Sequence, residues 1–234
     1  MGFVFDMGNV LSLDVDVLPC MAARLGMPIG RIVDFGGDDF GDLLVGAKTA
    51  EDFWRDFNRH FGTDVREDLM ITCFHPRTDP GMERLILDLK AAGHRVVCGT
   101  NAFEKHYRYH LERGEYAVFD RVYASNLMGI AKPSPEFFQH ILTREGWRAG
   151  DTFFIDDRAA NVDAALDLGI RAFRFNYASP TALDTLRAWL DAQLLNRAGV
   201  EAGSFASTNR MSRRAKRWSP CSSGTGGCSV PMSG

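Results

Sequence analysis

"FVFDMGNVL", residues 3–11, carries the reading on which the fold turns. With Gly2 in front, Phe3-Val4-Phe5 is apolar, β-prone and too short for a helix, so it reads as a buried strand. Asp6 stands where that strand should leave the sheet, and Gly8-Asn9 supply a turn. A lone carboxylate there can simply cap the turn. In an open α/β sheet, however, the carboxyl ends of the strands are where ligands bind.

The rest of the chain favours such a sheet. After Leu11 the pattern turns helical to about His75, with amphipathic stretches at Leu18 to Leu25, Ala50 to Phe61 (Thr49 as N-cap) and Val65 to Cys73. A strand–helix alternation follows. It has a helix from Pro80 stopped by Gly93, the strand "RVVCG" at 95–99, and a helix from about Ala102. Next come a strand at 121–124, a helix at 135–145, the strand "DTFFID", a helix at 159–168, a strand at 171–175 and a last helix to Leu195. This alternation predicts a parallel sheet with helices on both faces. The helical stretch of about 65 residues before Pro80 is too long for a loop and reads as a small cap inserted after the first strand. The expected division is a core of residues 1–14 and 79–196, a cap of 15–78, and a disordered tail of 197–234 rich in Ser and Gly.

Composition bounds the function. A chain of 234 residues with 45% hydrophobic and 24% charged residues is an ordinary globular protein. No apolar run approaches the ~20 residues of a membrane span, and no basic-then-apolar secretory pattern opens the chain. Five cysteines, odd in number and irregular in spacing, suggest no disulfide framework; a reducing cytoplasm is the expected setting. The net charge of −3 divides into a tail of about +5 from Arg197 onward and a body of about −8. An acidic body argues against nucleic acid as a partner, except through the tail segment "SRRAKRW".

Four strand ends carry polar residues: Asp6, Thr100-Asn101, Lys132 in "GIAKPSPEFF", and Asp156-Asp157. Each has a structural reading as a cap or surface residue. Parallel strands nevertheless bring all four to one edge, where three carboxylates gather with a hydroxyl, an amide and an ammonium group. Crowded carboxylates resist ionising unless a cation sits among them. Hard oxygen donors suit Mg2+, and no thiol–imidazole cluster suggests zinc. Magnesium, a lysine and a hydroxyl together neutralise phosphoryl oxygens, and an Asp can then attack phosphorus.

These segments resemble, in order, the four motifs of the haloacid dehalogenase-like hydrolases: "FDMGNVL", "GTN", "GIAKPSPEFF" and "FIDDRAANVDAA". The similarity spans roughly residues 2–180, is most specific in the last two motifs, and is greatest to a sugar-phosphate branch that includes glucose-1-phosphate phosphatase. It implies a Rossmann-like core with a small helical cap. It also implies a Mg2+-dependent phosphomonoester hydrolase for a small soluble phosphate, a sugar phosphate by this branch. By the same resemblance Asp6 is nucleophile and metal ligand, and the Gly8 carbonyl a second ligand. Thr100 and the Asn101 amide hold phosphate, Lys132 orients the nucleophile and offsets charge, Asp157 binds metal beside Asp156, and Asn161 supports them. One departure stands out: most phosphatases of this superfamily place a second Asp, the general acid, where this chain has Gly8. The alternatives are a catalytically weak binding protein of the same fold and, further off, a 2-haloacid dehalogenase, for which a paired Asp156-Asp157 would be costly. A phosphosugar mutase would need the missing acid. His60 and His75 are expected to be exposed, and His106, Tyr107, Tyr109 and His110 to pack a helix.

Overall fold

A computed structural model describes residues 1–195; the basic segment expected to be disordered lies outside the described residues. Residues Met1–Leu186 form one compact unit, and the site lies wholly within it. The elements are β1 (Gly2–Phe5), β2 (Ser12–Leu13), α1 (Leu18–Leu25), α2 (Ile29–Leu44), α3 (Ala50–Phe61), α4 (Leu69–Thr72), β3 (Arg77–Thr78), α5 (Pro80–Ala91) and β4 (Arg95–Thr100). They continue with α6 (Glu104–Glu112), β5 (Arg121–Ala124), α7 (Ser125–Met128), α8 (Pro135–Glu145), β6 (Thr152–Asp156), α9 (Ala159–Asp167) and β7 (Arg171–Arg174).

Five strands form one parallel sheet in the order β5-β4-β1-β6-β7. The fold is α/β and Rossmann-like, as the alternation predicts. Burial explains the central place of β1: all four of its residues are buried, so the strand needs a neighbour on each side and cover on each face. Val4, Val97 and Phe154 pack with Phe137, Phe138 and Ile141 of α8 on one face. By the period-two alternation of a strand, Phe3 and Phe153 point the other way and stack with ring centroids 4.8 Å apart. Gly99 permits the close approach of β4, since a Cβ there would lie 2.7 Å from Val4 Cγ1. The chain order reverses between β1 and β6, and a crevice opens at such a switch point.

Helices α1–α4 form the insertion, around a cluster that includes Met21, Ile32, Phe53, Trp54 and Phe57. α3 begins as its sequence dictates: the Thr49 side chain accepts from Asp52 N–H, and Gly62 closes the helix with φ 63°. The stretch 65–73 yields only the four-residue α4, and a two-stranded antiparallel ribbon, β2 with β3, ties the ends of the insertion together. Lys105 of α6 reaches Glu51 at 2.7 Å and Asp68 at 3.0 Å, and Ser125 Oγ donates to Leu44 C=O at 2.6 Å, docking the insertion over the sheet edge.

The expectation of no disulfide is corrected: Cys20 and Cys73 are joined, with Cα atoms 5.7 Å apart. Their separation of 53 residues carries no local pattern, because the pairing is made by the packing of α1 against the segment after α4. Cysteine count therefore gives no argument for a reducing compartment. Cys98, within β4, is a buried free thiol. No helix among the described residues is long and apolar enough to cross a membrane.

Candidate active site

Register places the site. Phe5 pairs with Cys98 on one side and Ile155 on the other, so Asp6 emerges level with Gly99 and Asp156, one step before Thr100. Asp6 N–H donates to Ile155 C=O at 2.9 Å, keeping the residue in the sheet while its side chain stands at the edge. Asp6 Oδ1 accepts from Met7 N–H at 2.7 Å and lies 2.9 Å from Lys132 Nζ. The turn beyond is held by Met7 C=O, which accepts from Leu11 and Ser12, and by Asn9 in the left-handed region at φ 55°.

Lys132 is the hub. Its Nζ also donates to Asp156 Oδ2 at 2.7 Å, and its side chain has no exposure. Its backbone is clasped by Asn101, whose Nδ2 donates to Lys132 C=O at 2.8 Å and whose Oδ1 accepts from Lys132 N–H at 2.9 Å. The Asn101 side chain is thus spent on positioning Lys132. Asp156, fully buried, gives Oδ1 to Arg158 N–H at 2.8 Å, and both of its oxygens accept from Asn161 Nδ2, at 2.9 and 3.1 Å. Asp157 is only half-buried and accepts from Asn9 Nδ2 at 3.0 Å. Thr100, 3% exposed, ends β4 beside them.

The electrostatics follow from this crowding. Burial lifts the Asp6 carboxyl to about 7; Lys132 pulls against the rise, and Asp156 and Asp157 add to it. Burial likewise raises Asp157, against the hydrogen bond from Asn9. Burial works against the Lys132 ammonium, but Asp156 and Asp6 outweigh it and raise its pKa. Carboxylate oxygens of Asp6, Asp156 and Asp157 lie within 4.8 Å of one another. Three carboxylates beside one ammonium leave an excess of two negative charges. An oxygen-loving divalent cation cancels that excess and fits the donor set.

Gly8, where the superfamily's acid would stand, is not required by sterics. A Cβ there would meet only Val15 Cγ2, at 3.5 Å, and the residue has no left-handed φ. A cavity of about 340 Å³ opens beside Gly8, Thr100 and Asn101, reaching under the insertion to Met21, Phe40 and Phe74. Asp14 faces away from this chemistry, in an exposed pair with Arg77 at 2.7 Å. Asp16 lines the cavity.

All eight residues singled out in the sequence therefore gather at one edge. His60 and His75 are exposed, as expected. Sequence reading missed the contacts of Asn9, Met7 N–H and Arg158 N–H, which belong to the turn and to a helix start; His106 and His110 pack as expected, against Phe74 and Glu115, and also line the cavity.

Comparison with known proteins agrees with this geometry. Residues 2–169 match the family model of the haloacid dehalogenase-like hydrolases. A sesquiterpene phosphatase from Aspergillus oryzae is 32% identical over 192 residues, covering 77% of this chain and 92% of that protein. A glyceraldehyde 3-phosphate phosphatase from Methanocaldococcus jannaschii is 30% identical, covering 74% and 83%. Among solved structures, a family enzyme from Bacteroides thetaiotaomicron, in complex with magnesium and inorganic phosphate, shares the fold with a TM-score of 0.65 at 23% identity, covering 76% of this chain and 95% of that one. The chain belongs to the haloacid dehalogenase-like hydrolases, a hydrolase with phosphatases among its relatives.

Proposed function

We propose that the protein is a Mg2+-dependent phosphomonoester hydrolase that works through an aspartyl-phosphate on Asp6. The observation that carries this reading is the buried contact of Lys132 with both Asp6 (2.9 Å) and Asp156 (2.7 Å), beside a third carboxylate. Asp156 already has its oxygens filled by Lys132, Arg158 and Asn161, so the metal falls to Asp6 and Asp157, with Asp156 beside them and the Gly8 carbonyl as the family-type ligand. Bound there, the ion would hold Asp6 ionised and draw charge from the phosphoryl oxygens.

The chain's own residues do the rest. Met7 N–H and Lys132 fix the Asp6 carboxylate through Oδ1. Thr100 Oγ1 and the backbone N–H of Asn101 hold the phosphoryl oxygens, and Lys132 offsets their charge as it accumulates. The carboxylate attacks phosphorus, the P–O bond to the alcohol breaks, and the leaving oxygen keeps the electron pair and takes a proton from water, since position 8 offers no acid. Water then attacks the aspartyl-phosphate, freeing inorganic phosphate and restoring Asp6. The insertion covers the edge as a cap and limits the entry of water.

The named relatives act on unlike molecules, a sesquiterpene compound and glyceraldehyde 3-phosphate, and have a phosphatase activity in common. They support phosphate-ester hydrolysis and leave the alcohol to be set by this chain's cavity; a sugar phosphate, as the motifs suggest, is one member of that class. Binding without turnover has one observation in its favour, the glycine at position 8. A dehalogenase would have to hold Asp156 and the half-buried Asp157 beside Asp6 with no metal to relieve them.

The test is phosphate release from p-nitrophenyl phosphate and acetyl phosphate, with Mg2+ or with chelator, by wild type and Asp6→Asn. Release that needs both the metal and Asp6 is the expected result. A folded wild type that releases no more than Asp6→Asn would leave binding as the better account.

A further inference from the structure

The cavity beside the phosphoryl site is walled mainly by hydrocarbon. Met21 of α1, Phe40 and Leu44 of α2, Met70 of α4 and Phe74 line it from the insertion, and Phe103 faces them from the start of α6. It is continuous with Gly8, Thr100 and Asn101, so whatever is esterified to a phosphate held there must lie along these side chains. At about 340 Å³ it has room for on the order of ten groups the size of a water molecule, at ~30 Å³ each.

Part of its polar lining is already engaged. His106 Nε2 lies 2.8 Å from Met70 C=O, so that nitrogen is the donor and is already used. His110 Nδ1 is held by Glu115 at 2.5 Å. Asp16 Oδ1 accepts from Leu18 N–H at 3.0 Å. Tyr116, 6% exposed, keeps one buried hydroxyl with no partner among the described residues. A sugar would bring several hydroxyls to a wall that can answer only a few of them, and each would lose its water. Arg158, at the start of α9, also lines the cavity.

We infer that the substrate is the monophosphate ester of a largely apolar alcohol, of about eight to ten carbons or a compact equivalent at ~30 Å³ per group, with the hydrocarbon lying between α1, α2 and Phe103. The inference rests on the phosphomonoester reading above and names its leaving group. The cavity confers the preference; Asp6 and Lys132 do the same chemistry on any ester.

The experiment compares kcat/KM for n-octyl phosphate, geranyl monophosphate, glucose 1-phosphate and acetyl phosphate, in wild type, Asp6→Asn and Leu44→Gln. Leu44 is partly exposed, so a glutamine of similar shape adds polarity to the wall without emptying the core. The expected result is at least a ~10²-fold preference for the apolar esters over glucose 1-phosphate, given that a single hydroxyl against an apolar wall is worth up to about that factor. Leu44→Gln should lower kcat/KM for n-octyl phosphate at least tenfold more than for acetyl phosphate, mainly through KM. Asp6-dependent turnover of glucose 1-phosphate as fast as the apolar esters would overturn the inference and leave the phosphatase reading standing. No Asp6-dependent turnover of any of the four, acetyl phosphate included, would overturn that reading and the inference with it.

Discussion

Lys132 Nζ stands 2.9 Å from Asp6 Oδ1, with side-chain exposures of 0% and 10%. A buried ammonium in that position contacts two of the three carboxylates gathered there and offsets their charge. Replacing it with an apolar side chain of similar length leaves them uncompensated. Lys132→Met should destabilise the fold by about 3–5 kcal/mol, the usual result of removing one partner of a buried pair. Mg2+ should restore more stability to the variant than it adds to wild type, because the ion takes over part of the lost charge. Denaturant unfolding with and without Mg2+ checks this; a variant as stable as wild type in chelator contradicts it.

Gly8 can be filled. A Cβ at this position has ordinary contact distance to Val15, so Gly8→Asp should fold and place a carboxyl where most of the superfamily keeps its general acid. For an alkyl phosphate, whose leaving oxygen needs a proton, kcat should rise toward the ~10²-fold that a positioned acid supplies. For p-nitrophenyl phosphate, which leaves as a stable anion, it should change little. An equal effect on the two substrates would show that leaving-group protonation is not what the glycine forgoes.

His106 gives the stability a pH dependence. Burial lowers its pKa to about 4, only partly countered by the bond to Met70 C=O. In the unfolded chain it titrates near 6.5, so between these values the unfolded state holds the extra proton. The contribution is fully present above about 6.5 and is lost progressively as pH falls through about 4, amounting to roughly 3–4 kcal/mol at ~1.4 per pKa unit. Unfolding free energies at pH 7 and pH 4.5 should therefore differ more in wild type than in His106→Gln. Parallel pH profiles would contradict this.

The Cys20–Cys73 bond closes a loop of 53 residues that contains most of the insertion. Chain entropy assigns such a closure about 4 kcal/mol. Reduction, or Cys20→Ser, should lower the midpoint of unfolding by a corresponding amount. Alkylation and mass analysis of the denatured, unreduced protein should leave both thiols unmodified; labelling of both would contradict the pairing.

Much of this was legible in the sequence, for physical reasons that differ from residue to residue. β1, β4 and β6 are continuous apolar runs because they are buried on both faces, and α3 carries its own cap at Thr49 and its stop at Gly62. Asp6, Thr100, Lys132 and Asp156 were legible because a parallel sheet carries its strand ends to one edge. β2 and β3 were not: two residues have no period, and their pairing is set by the ends of the insertion meeting. α4 shrank to four residues where a longer amphipathic pattern suggested more, because Asp68 caps it late and the chain turns away at Cys73. The disulfide and the cavity wall depend on contacts across the insertion, which no local spacing records. The Asn101 side chain was assigned by motif and is engaged by the Lys132 backbone instead, a pairing across 31 residues.

The most direct measurement is chemical identification of the phosphorylated residue. Wild type turning over p-nitrophenyl phosphate with Mg2+ is quenched in acid and mapped by peptide mass spectrometry. The expected result is one phosphoryl group on the peptide containing Asp6, removed by hydroxylamine and absent in Asp6→Asn. A turning-over enzyme that carries its phosphoryl group on another residue, or carries none under any quench, would contradict Asp6 as the nucleophile.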